Sequence, residues 1–546
     1  MNHTPSLQIE LESGERRVIP VLRDDRSLAD VLAAHGLPLN TRCGQRGLCR
    51  GCEVRLHEGS LLTDGGPVSA PATVQACRAR LTGEALIHLP SRSRIEHRPQ
   101  VGETFEIAIP YAHQPLFPFV PGGRDTAFAV DVGTTTVVVL LVDLVTGEVL
   151  SRAGAFNEQI RFGDNVVTRI EAARKSENLA AMQRAIVKET IQPLLLCACE
   201  RAGRSLDRLA GGAIAGNTTM LHLLVGEDPT TLGLAPFTPC FIKGRQVLAG
   251  EIQLVAAGLA PETPVQLLPG IAAYIGADIT AGVFASGMVF DPAPSLLVDI
   301  GTNGEIVLQS GGKLTACATA AGPAFEGCGL RCGTRARDGA VSDLRLLLNP
   351  FQLETKTIGD IPLARANGLC GSAYVDFLAT ARSSGLLGAT GRFDLAAWEK
   401  LPVQNRFADD GERALRLTES NGAGALRISE VDVALLLQAK AAIGAGIEIL
   451  LETAGLHASD LGRVYLAGGF GMHLNVAHAI AIGLLPGLRG EQVRVVGNTS
   501  LAGALLALVD RTTLDEMENL RTQMEVIELN LAADFEDRYI EHLTLP

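Results

Sequence analysis

Short apolar runs, each closed by a glycine, a turn or a charge, organise the chain into strand-sized pieces with few long helices. Leu7–Leu11 and Arg17–Leu22 read as two strands flanking the turn Glu12–Gly14. Ser27 to Asp30 reads as a capping box that opens a helix with Leu28, Val31 and Leu32 on one face, stopped by Gly36. Glu53–Leu56, Val74–Leu81 and Ala85–Leu89 complete a small first unit. Residues 93–125 hold five prolines between short apolar pieces and predict a linker that crosses a surface. From Ala127 the pattern is α/β. Phe128–Asp131, Thr136–Asp143 and Glu148–Arg152 predict three strands, with a turn at Thr146–Gly147. Leu296–Ile300, Glu305–Gln309 and Lys313–Cys317 repeat the device, with a turn at Gly311–Gly312. Asp131 and Asp299 end the leading strands 168 residues apart, too long a period for a solenoid, so two equivalent lobes are expected. Val431–Leu451 is interrupted by Asp432, Gln438, Lys440 and Glu448 and predicts a buried helix.

Composition narrows the class. A chain of 546 residues exceeds one core, and 47% hydrophobic with 20% charged residues is ordinary globular usage. The formal charge of −13 argues against nucleic-acid binding. The opening residues lack the apolar stretch of a secretory signal, and no uncharged run reaches a membrane-spanning length. Eleven cysteines in that setting are expected as thiols or metal ligands.

Four of them, Cys43, Cys49, Cys52 and Cys77, form C-x5-C-x2-C-x24-C. Three thiolates in one tight loop and a distant fourth suit a 2Fe–2S cluster, with one residue more in the first gap than plant-type spacing. Gly44, Gly47 and Gly51 let backbone approach the sulfurs, and Arg42, Arg46 and Arg50 offset thiolate charge. A four-cysteine zinc site is the alternative, but it usually takes two C-x2-C pairs and only one is present. Cys197, Cys199, Cys240, Cys317 and Cys370 read as buried packing residues, and Cys328 with Cys332 as a weak second site.

The repeated strands carry the second chemistry. Asp131 and Asp299 present carboxylates suited to hold Mg²⁺ through water. Gly133 and Gly301 admit phosphates to the backbone, while Thr134, Thr135, Thr136 and Thr302 supply hydroxyls. Ala467–Gly471 follows the strand Val464–Leu466, and Gly468, Gly469 and Gly471 would let an adenosine lie on the backbone. Gly276–Gly287 and Asn498–Gly503 predict two small-residue helices able to pack closely.

This order resembles the ATPase superfamily of actin, sugar kinases and heat-shock chaperones. There Asp278 matches the polar residue that orients or deprotonates the attacking water, a simple helix cap being the alternative. The whole chain more closely resembles reductive activators of corrinoid-dependent enzymes. The motifs are Arg42–Cys52, Ala129–Thr136, Arg161–Asn165, Ala215–Thr219, Leu268–Gly270, Val298–Glu305, Ala320–Gly327, Gly368–Ser372 and Ala467–Gly471. The resemblance implies an α/β protein: a β-grasp ferredoxin-like domain over 1–92, a linker over 93–125, and a two-lobed actin-like (ribonuclease H-like) core. Its first lobe is expected over 126–275, and its second, with both hinge helices, over 276–546. It implies a 2Fe–2S cluster, ATP and Mg²⁺, with Asn303 and Gly322 added to the nucleotide contacts. The implied activity is ATP-dependent reduction of an inactive Co(II) corrinoid to Co(I), with Asp131, Asp278 and Asp299 catalytic. The expected partner is a corrinoid methyl-carrier protein, and the expected state a cytoplasmic homodimer that binds neither nucleic acid nor membrane. With no cysteine after Cys370, the chain resembles the branch with an N-terminal 2Fe–2S domain rather than a C-terminal 4Fe–4S one. In this picture the cluster swings on the 93–125 linker, and the loop Thr319–Gly327 faces either the corrinoid or the ATP phosphates. Three rivals stay open: a small-molecule kinase with an accessory redox domain, an ATP-driven activator of a dehydratase, and an electron carrier with a degenerate ATPase fold.

Overall fold

A computed structural model describes residues 6–11, 15–20, 26–39, 41, 45, 47, 52–90, 93, 104–107, 111, 113–409, 412–418 and 425–546. Cys43 and Cys49, with Arg42, Gly44, Arg46, Arg50 and Gly51, lie outside them.

The N-terminal unit is one mixed sheet of β1 (Ser6–Leu11), β2 (Arg16–Pro20), β3 (Glu53–Thr63), β4 (Gly66–Ser69), β5 (Ala72–Gln75) and β6 (Ala79–Leu89), with α1 (Leu28–Ala34) against it. Strand β1 pairs parallel with β6 and antiparallel with β2, and β3 pairs antiparallel with β6, β4 and β5. Alternate residues Leu7, Ile9 and Leu11 are buried and meet Leu28, Leu32, Val54, Leu56 and Ile87 in a separate core. Ser27 caps α1 by accepting from the Asp30 amide, but the predicted box closes on that side only, since the Asp30 carboxylate accepts from the Ser27 hydroxyl (2.7 Å).

The first lobe holds β7 (Thr126–Val132), β8 (Thr136–Asp143), β9 (Val149–Phe156), α2 (Val166–Ala173), α3 (Ser176–Ile186), α4 (Gln192–Ala202), β10 (Leu209–Gly216), α5 (Thr218–Val225), β11 (Arg245–Leu248) and β12 (Pro264–Leu267). Its sheet runs β11-β12-β10-β7-β8-β9. Helix α6 (Ala277–Ser286) follows. The second lobe begins with β13 (Ser295–Ile300), β14 (Gly304–Ser310) and β15 (Lys313–Thr319). It continues through β16 (Ala340–Leu348), β17 (Phe351–Thr357), β18 (Gly368–Leu369), α7 (Gly371–Ser383), α8 (Leu395–Glu399), β19 (Arg406–Asp409), β20 (Glu412–Arg416) and β21 (Arg427–Ser429). Then come α9 (Glu430–Thr453), β22 (Arg463–Ala467), α10 (Val476–Ala481), β23 (Val493–Gly497), α11 (Thr499–Val509), α12 (Thr512–Gln523), β24 (Met524–Val526) and α13 (Phe535–His542). The second central sheet runs β23-β22-β13-β14-β15-β24.

The two central sheets match strand for strand. Strand β7 lies between parallel β10 and antiparallel β8, as β13 lies between parallel β22 and antiparallel β14. Asp131 stands in register with Ala215, and Asp299 with Ala467. Being central and covered on both faces, β7 is buried at every residue but Asp131. Helix α9 is long and apolar enough to cross a membrane, but most of it is buried inside the second lobe, where a Ser429–Asp432 capping box starts it.

Helix α11 departs from the expected division. It lies late in the chain yet packs its leucines into the first lobe's core, beside Phe128, Ile214 and Leu221. Helix α6 shares that core through Ala281, Phe284 and Ala285, and turns Ile279 and Val283 toward Leu297, Val307 and Tyr465 of the other lobe. The two helices cross backbone to backbone: a Cβ on Gly503 would lie 2.4 Å from that of Ala281, and one on Gly282 would lie 2.6 Å from Thr499 Oγ1.

The predicted linker also proves to be only partly free. Phe105 bridges Gly497, and Asn498 donates its N–H to Thr104 O (3.1 Å) at the head of α11. At its tail, the Gln114 and Leu116 amides donate to Val509 O and Leu508 O (2.9 and 2.8 Å). Thr104 and Phe105 are thus tied to the head of α11 and Gln114 and Leu116 to its tail, and Phe117 is buried against Gly211. Among the other cysteines, Cys199, Cys317 and Cys370 are buried as expected, but Cys197 is only half-buried on α4, and Cys240 is exposed, since the segment 234–240 lies on the surface beyond α5.

The crossing gives a direct test. Gly503→Val should lower stability by roughly 1–3 kcal/mol, because backbone cannot yield as a side chain does. The open Gly490→Ala should leave the urea midpoint within experimental scatter.

Candidate active site

Both phosphate loops close in the same way. The Gly133 amide donates to Thr136 O (2.9 Å) and the Gly301 amide to Asn303 O (2.9 Å), turning each loop back on its strand. Behind the first loop sits Arg169 of α2, fully buried, donating to Thr134 O (2.5 Å), Gly163 O (2.9 Å) and Gln159 Oε1 (3.1 Å). Asn217, the cap of α5, donates Nδ2 to Thr134 Oγ1 (3.0 Å). The motifs Arg161–Asn165 and Ala215–Thr219 thus act as props for the loop.

Four carboxyls gather where the two leading strands end and α6 begins, close enough to feel one another's charge. Asp131 accepts from Asn498 Nδ2 (2.8 Å) and Ser500 Oγ (2.7 Å), both at the start of α11. Asp278 sits in the first turn of α6 and accepts only from the Ile279 amide (3.0 Å) among the described side-chain bonds. Asp299 abuts Gly468, where a Cβ would lie 2.6 Å from its Oδ1. Glu305 stands opposite Asp299 across β13 and β14. Burial raises all four, with mutual repulsion added for three. Asp278 is pushed up to about 8 by burial and by the charges of Asp299 and Asp131. Asp299 is pushed up to about 7 by burial and then by Asp131. Glu305 is held well above its usual range by burial and by Asp278 and Asp299. Asp131 is raised by burial, which outweighs its two hydrogen bonds. Hard oxygen donors gathered without a counter-charge are the chemistry of a divalent-cation site, so these residues fit Mg²⁺ with a nucleotide.

A cleft bordered by both phosphate loops has a volume of about 530 Å³. Thr135, Gly301, Glu326, Arg335, Gly371 and Phe470 line it. Glu326 accepts at one oxygen from Thr135 Oγ1 (2.7 Å) and at the other from Thr302 Oγ1 (3.2 Å), so both loops end on one carboxylate. Of the glycines expected to carry adenosine, Gly469 is open on its Cβ side. Gly468 has φ +88° and donates to Gly497 O (3.1 Å), and Gly471 is buried. Phe470 stacks on Phe325, 5.3 Å between centroids. Gly322 adopts φ +73° just before the Pro323–Glu326 turn, and Thr136 and Asn303 close their loops as described.

In the N-terminal unit Cys52 and Cys77 are both buried beside the Glu53–Gln75 rung, where the Ala76 amide donates to Cys52 O (3.1 Å). Between positions 43 and 49, Gln45 is held by Ser27 and Asp30 (3.2 and 2.8 Å), and a Cβ on Gly47 would lie 2.8 Å from Nε of Arg78. Gln45 is thereby held at the head of α1, and Gly47 lies against the residue next to Cys77. Two buried cysteines near these two residues of the cysteine-bearing segment fit a 2Fe–2S cluster. Cys328 and Cys332 are buried, the Cys332 thiol donates toward Ala425 O and accepts from the Arg427 amide, and among the described residues no group of metal-ligating side chains forms around the pair.

Glu305, Glu326 and Asn217 lie within the motifs Val298–Glu305, Ala320–Gly327 and Ala215–Thr219 but carry no assigned role in the sequence, and Arg169 and Arg335 lie outside every motif.

Known proteins share these features. Residues 11–82 match the 2Fe–2S iron–sulfur cluster binding domain family. Residues 126–290 match the RACo middle region, and residues 293–546 the C-terminal domain of RACo, the ASKHA domain. The corrinoid activation enzyme RamQ of Eubacterium limosum is 30% identical over 545 residues, covering 89% of this chain and 90% of that protein. The Co(II) methylated amine-specific corrinoid protein reductase of Methanosarcina barkeri is 26% identical over 430 residues, 74% of each chain. A solved reductive activator for a corrinoid, iron–sulfur protein superposes with a TM-score of 0.71 at 29% identity, covering 99% of this chain and 98% of that one.

The carboxyl cluster sets an expected pH response. In the nucleotide-free fold Asp278 and Asp299 hold protons that the unfolded chain has already lost, so the native state is favoured at low pH. That advantage is lost progressively as pH rises from the ordinary carboxylate value of 3.8 to about 7 to 8. The urea midpoint should therefore fall from about pH 4 to about pH 8 and level off above it, at up to roughly 1.4 kcal/mol per pH unit for each proton. Asp278→Asn should flatten the fall. Mg-ATP should reverse it and release protons, read by calorimetry in buffers of different ionisation enthalpy.

Proposed function

Because this chain belongs to the RACo family of reductive activators of corrinoid proteins, we infer that it is an ATP-hydrolysing iron–sulfur reductase that returns an inactive Co(II) corrinoid protein to Co(I). One observation carries the reading: a cysteine-loop domain and a cleft built from two matched phosphate loops occupy one chain. A bound 2Fe–2S cluster supplies single electrons at the low potentials of ferredoxins.

The chain's own residues do the rest. Cys43, Cys49, Cys52 and Cys77 are assigned as cluster ligands. Asp131, Asp299 and Glu305 are assigned to Mg²⁺, directly or through water. Asp278 takes the water that attacks the terminal phosphate, and its raised proton affinity suits a base working near neutrality. Thr134, Thr135, Thr136, Thr302, Asn303 and the loop glycines Gly133 and Gly301 hold phosphate oxygens. Gly322, Gly468, Gly469 and Gly471 line the adenosine side.

Because Asp131 bonds the head of α11, a cation on Asp131 bears on the helix that joins the lobes. Co(I) is a strong reductant, and each 59 mV of uphill transfer is a tenfold loss in a one-electron equilibrium. ATP helps only by binding one lobe arrangement better than another, and the α6/α11 crossing is the contact on which such a change would turn. Boundaries near residues 92, 125 and 275, a cytoplasmic location and a homodimer belong to the same proposal.

The test mixes reduced, cluster-loaded protein with a Co(II) corrinoid carrier protein under anaerobic conditions and follows Co(I) absorbance. Co(I) should form with Mg-ATP, and its rate should drop at least about a hundredfold in Asp278→Asn, as for loss of a general base. Cys77→Ser should abolish it while leaving nucleotide binding intact. ATP hydrolysis that ignores every carrier protein, with no Co(I), would sink the proposal.

A further inference from the structure

One carboxylate and one guanidinium in the cleft have no role in the scheme above. Glu326 holds the hydroxyls of Thr135 and Thr302, one from each lobe, on its two oxygens. In charge and geometry it stands where a phosphate oxygen pair would. Arg335 lines the same cleft. Its Nε and Nη2 are closed off from solvent without a hydrogen-bond partner, and no ion pair to it occurs among the described residues. Its nearest described aromatic contact is Phe156, with the guanidinium 5.6 Å from the ring centroid.

The backbone brings the two together. Gly327 has φ +74°, and a Cβ there would lie 2.3 Å from Thr334 O. One on Gly333 would lie 2.2 Å from Gly327 O. The loop 327–334 closes on itself, so Glu326 and Arg335, the residues flanking it, leave it side by side. Both charges act on buried Arg169 behind the first phosphate loop, in opposite senses. A guanidinium with sequestered N–H groups and no anion is costly until an anion arrives. A carboxylate on two hydroxyls beside it is the group such an anion must displace.

We propose that the terminal phosphate of ATP exchanges with Glu326: it takes the Thr135 and Thr302 hydroxyls, the carboxylate leaves, and Arg335 pairs with the incoming phosphate. This rests on the cleft being the ATP site. It makes the Glu326/Arg335 pair the determinant of triphosphate over diphosphate, because ADP lacks the group that spans both hydroxyls and leaves Glu326 in place.

The test is calorimetry on the full, cluster-loaded chain with the Mg²⁺ complexes of β,γ-imido-ATP and of ADP. Glu326→Gln, which keeps size and loses charge, should tighten the triphosphate analogue about tenfold and move ADP less than about twofold, as for loss of a charged hydrogen-bonding competitor. Arg335→Gln should weaken the analogue at least about tenfold, again sparing ADP, as for loss of a charge-assisted phosphate contact. An unchanged or weakened analogue in Glu326→Gln overturns the exchange, and so does an equal loss of both nucleotides in Arg335→Gln. Hydrogen exchange on the unaltered protein needs no variant. Residues 323–335 should change exchange with the analogue and not with ADP. Protection of the loops 131–136 and 299–303 with no change at 323–335 would overturn the exchange and keep the ATP cleft. Binding of neither nucleotide, with no protection of those loops, would overturn the cleft and the exchange together.

Discussion

Helices α6 and α11 meet where neither has a side chain to spare. Gly503 presses on Ala281 and Gly282 on Thr499, so the separation of the helix axes is set by backbone. Much else inherits its position from that contact. Asp278 projects from the first turn of α6, and Asn498 and Ser500 reach Asp131 from the start of α11. A wider crossing would move Asp278 away from Asp131, although neither carboxyl had itself changed.

The carboxyl cluster is costly to hold in the nucleotide-free fold, and the fold tolerates it because strands impose it. Asp299 and Glu305 face one another by register, and the twin sheet brings Asp131 to the matching position. Burial and repulsion then keep protons in the cluster. Such a site stores an electrostatic preference for Mg²⁺ that a solvated acidic patch would lack, since water would screen the four charges.

The sequence made legible whatever is local. The doubled strand–loop–strand units, the Ser27 cap, the buried α9 and both small-residue helices follow from periodicity and punctuation within a few residues, and all are present. Contacts between distant segments were not legible. Arg169 is a polar residue on an amphipathic helix, a pattern that usually marks a solvated face, yet it is fully buried under Thr134. Glu326 and Arg335 belong to a loop whose closure depends on Gly327 touching Thr334. The return of α11 to the first lobe is invisible in sequence order, because leucines and alanines do not declare which core they join. Cys240 misled for the converse reason: a small apolar residue carries no marker of exposure.

The tie at the head of α11 has a consequence for distance. Ser93 still belongs to the N-terminal unit, where its hydroxyl donates to Glu53 O, and Thr104 is already bonded to Asn498 on the core. Eleven peptide steps separate those two points, a contour of at most about 40 Å at full extension. The redox domain is thus on a short leash, and its encounters with anything seated on the core are intramolecular, at local concentrations on the order of millimolar. Dilution of the protein would not slow them. The leash is fixed, moreover, at the very residue whose side chain grips Asp131, so the point from which the domain is paid out is itself coupled to that carboxylate.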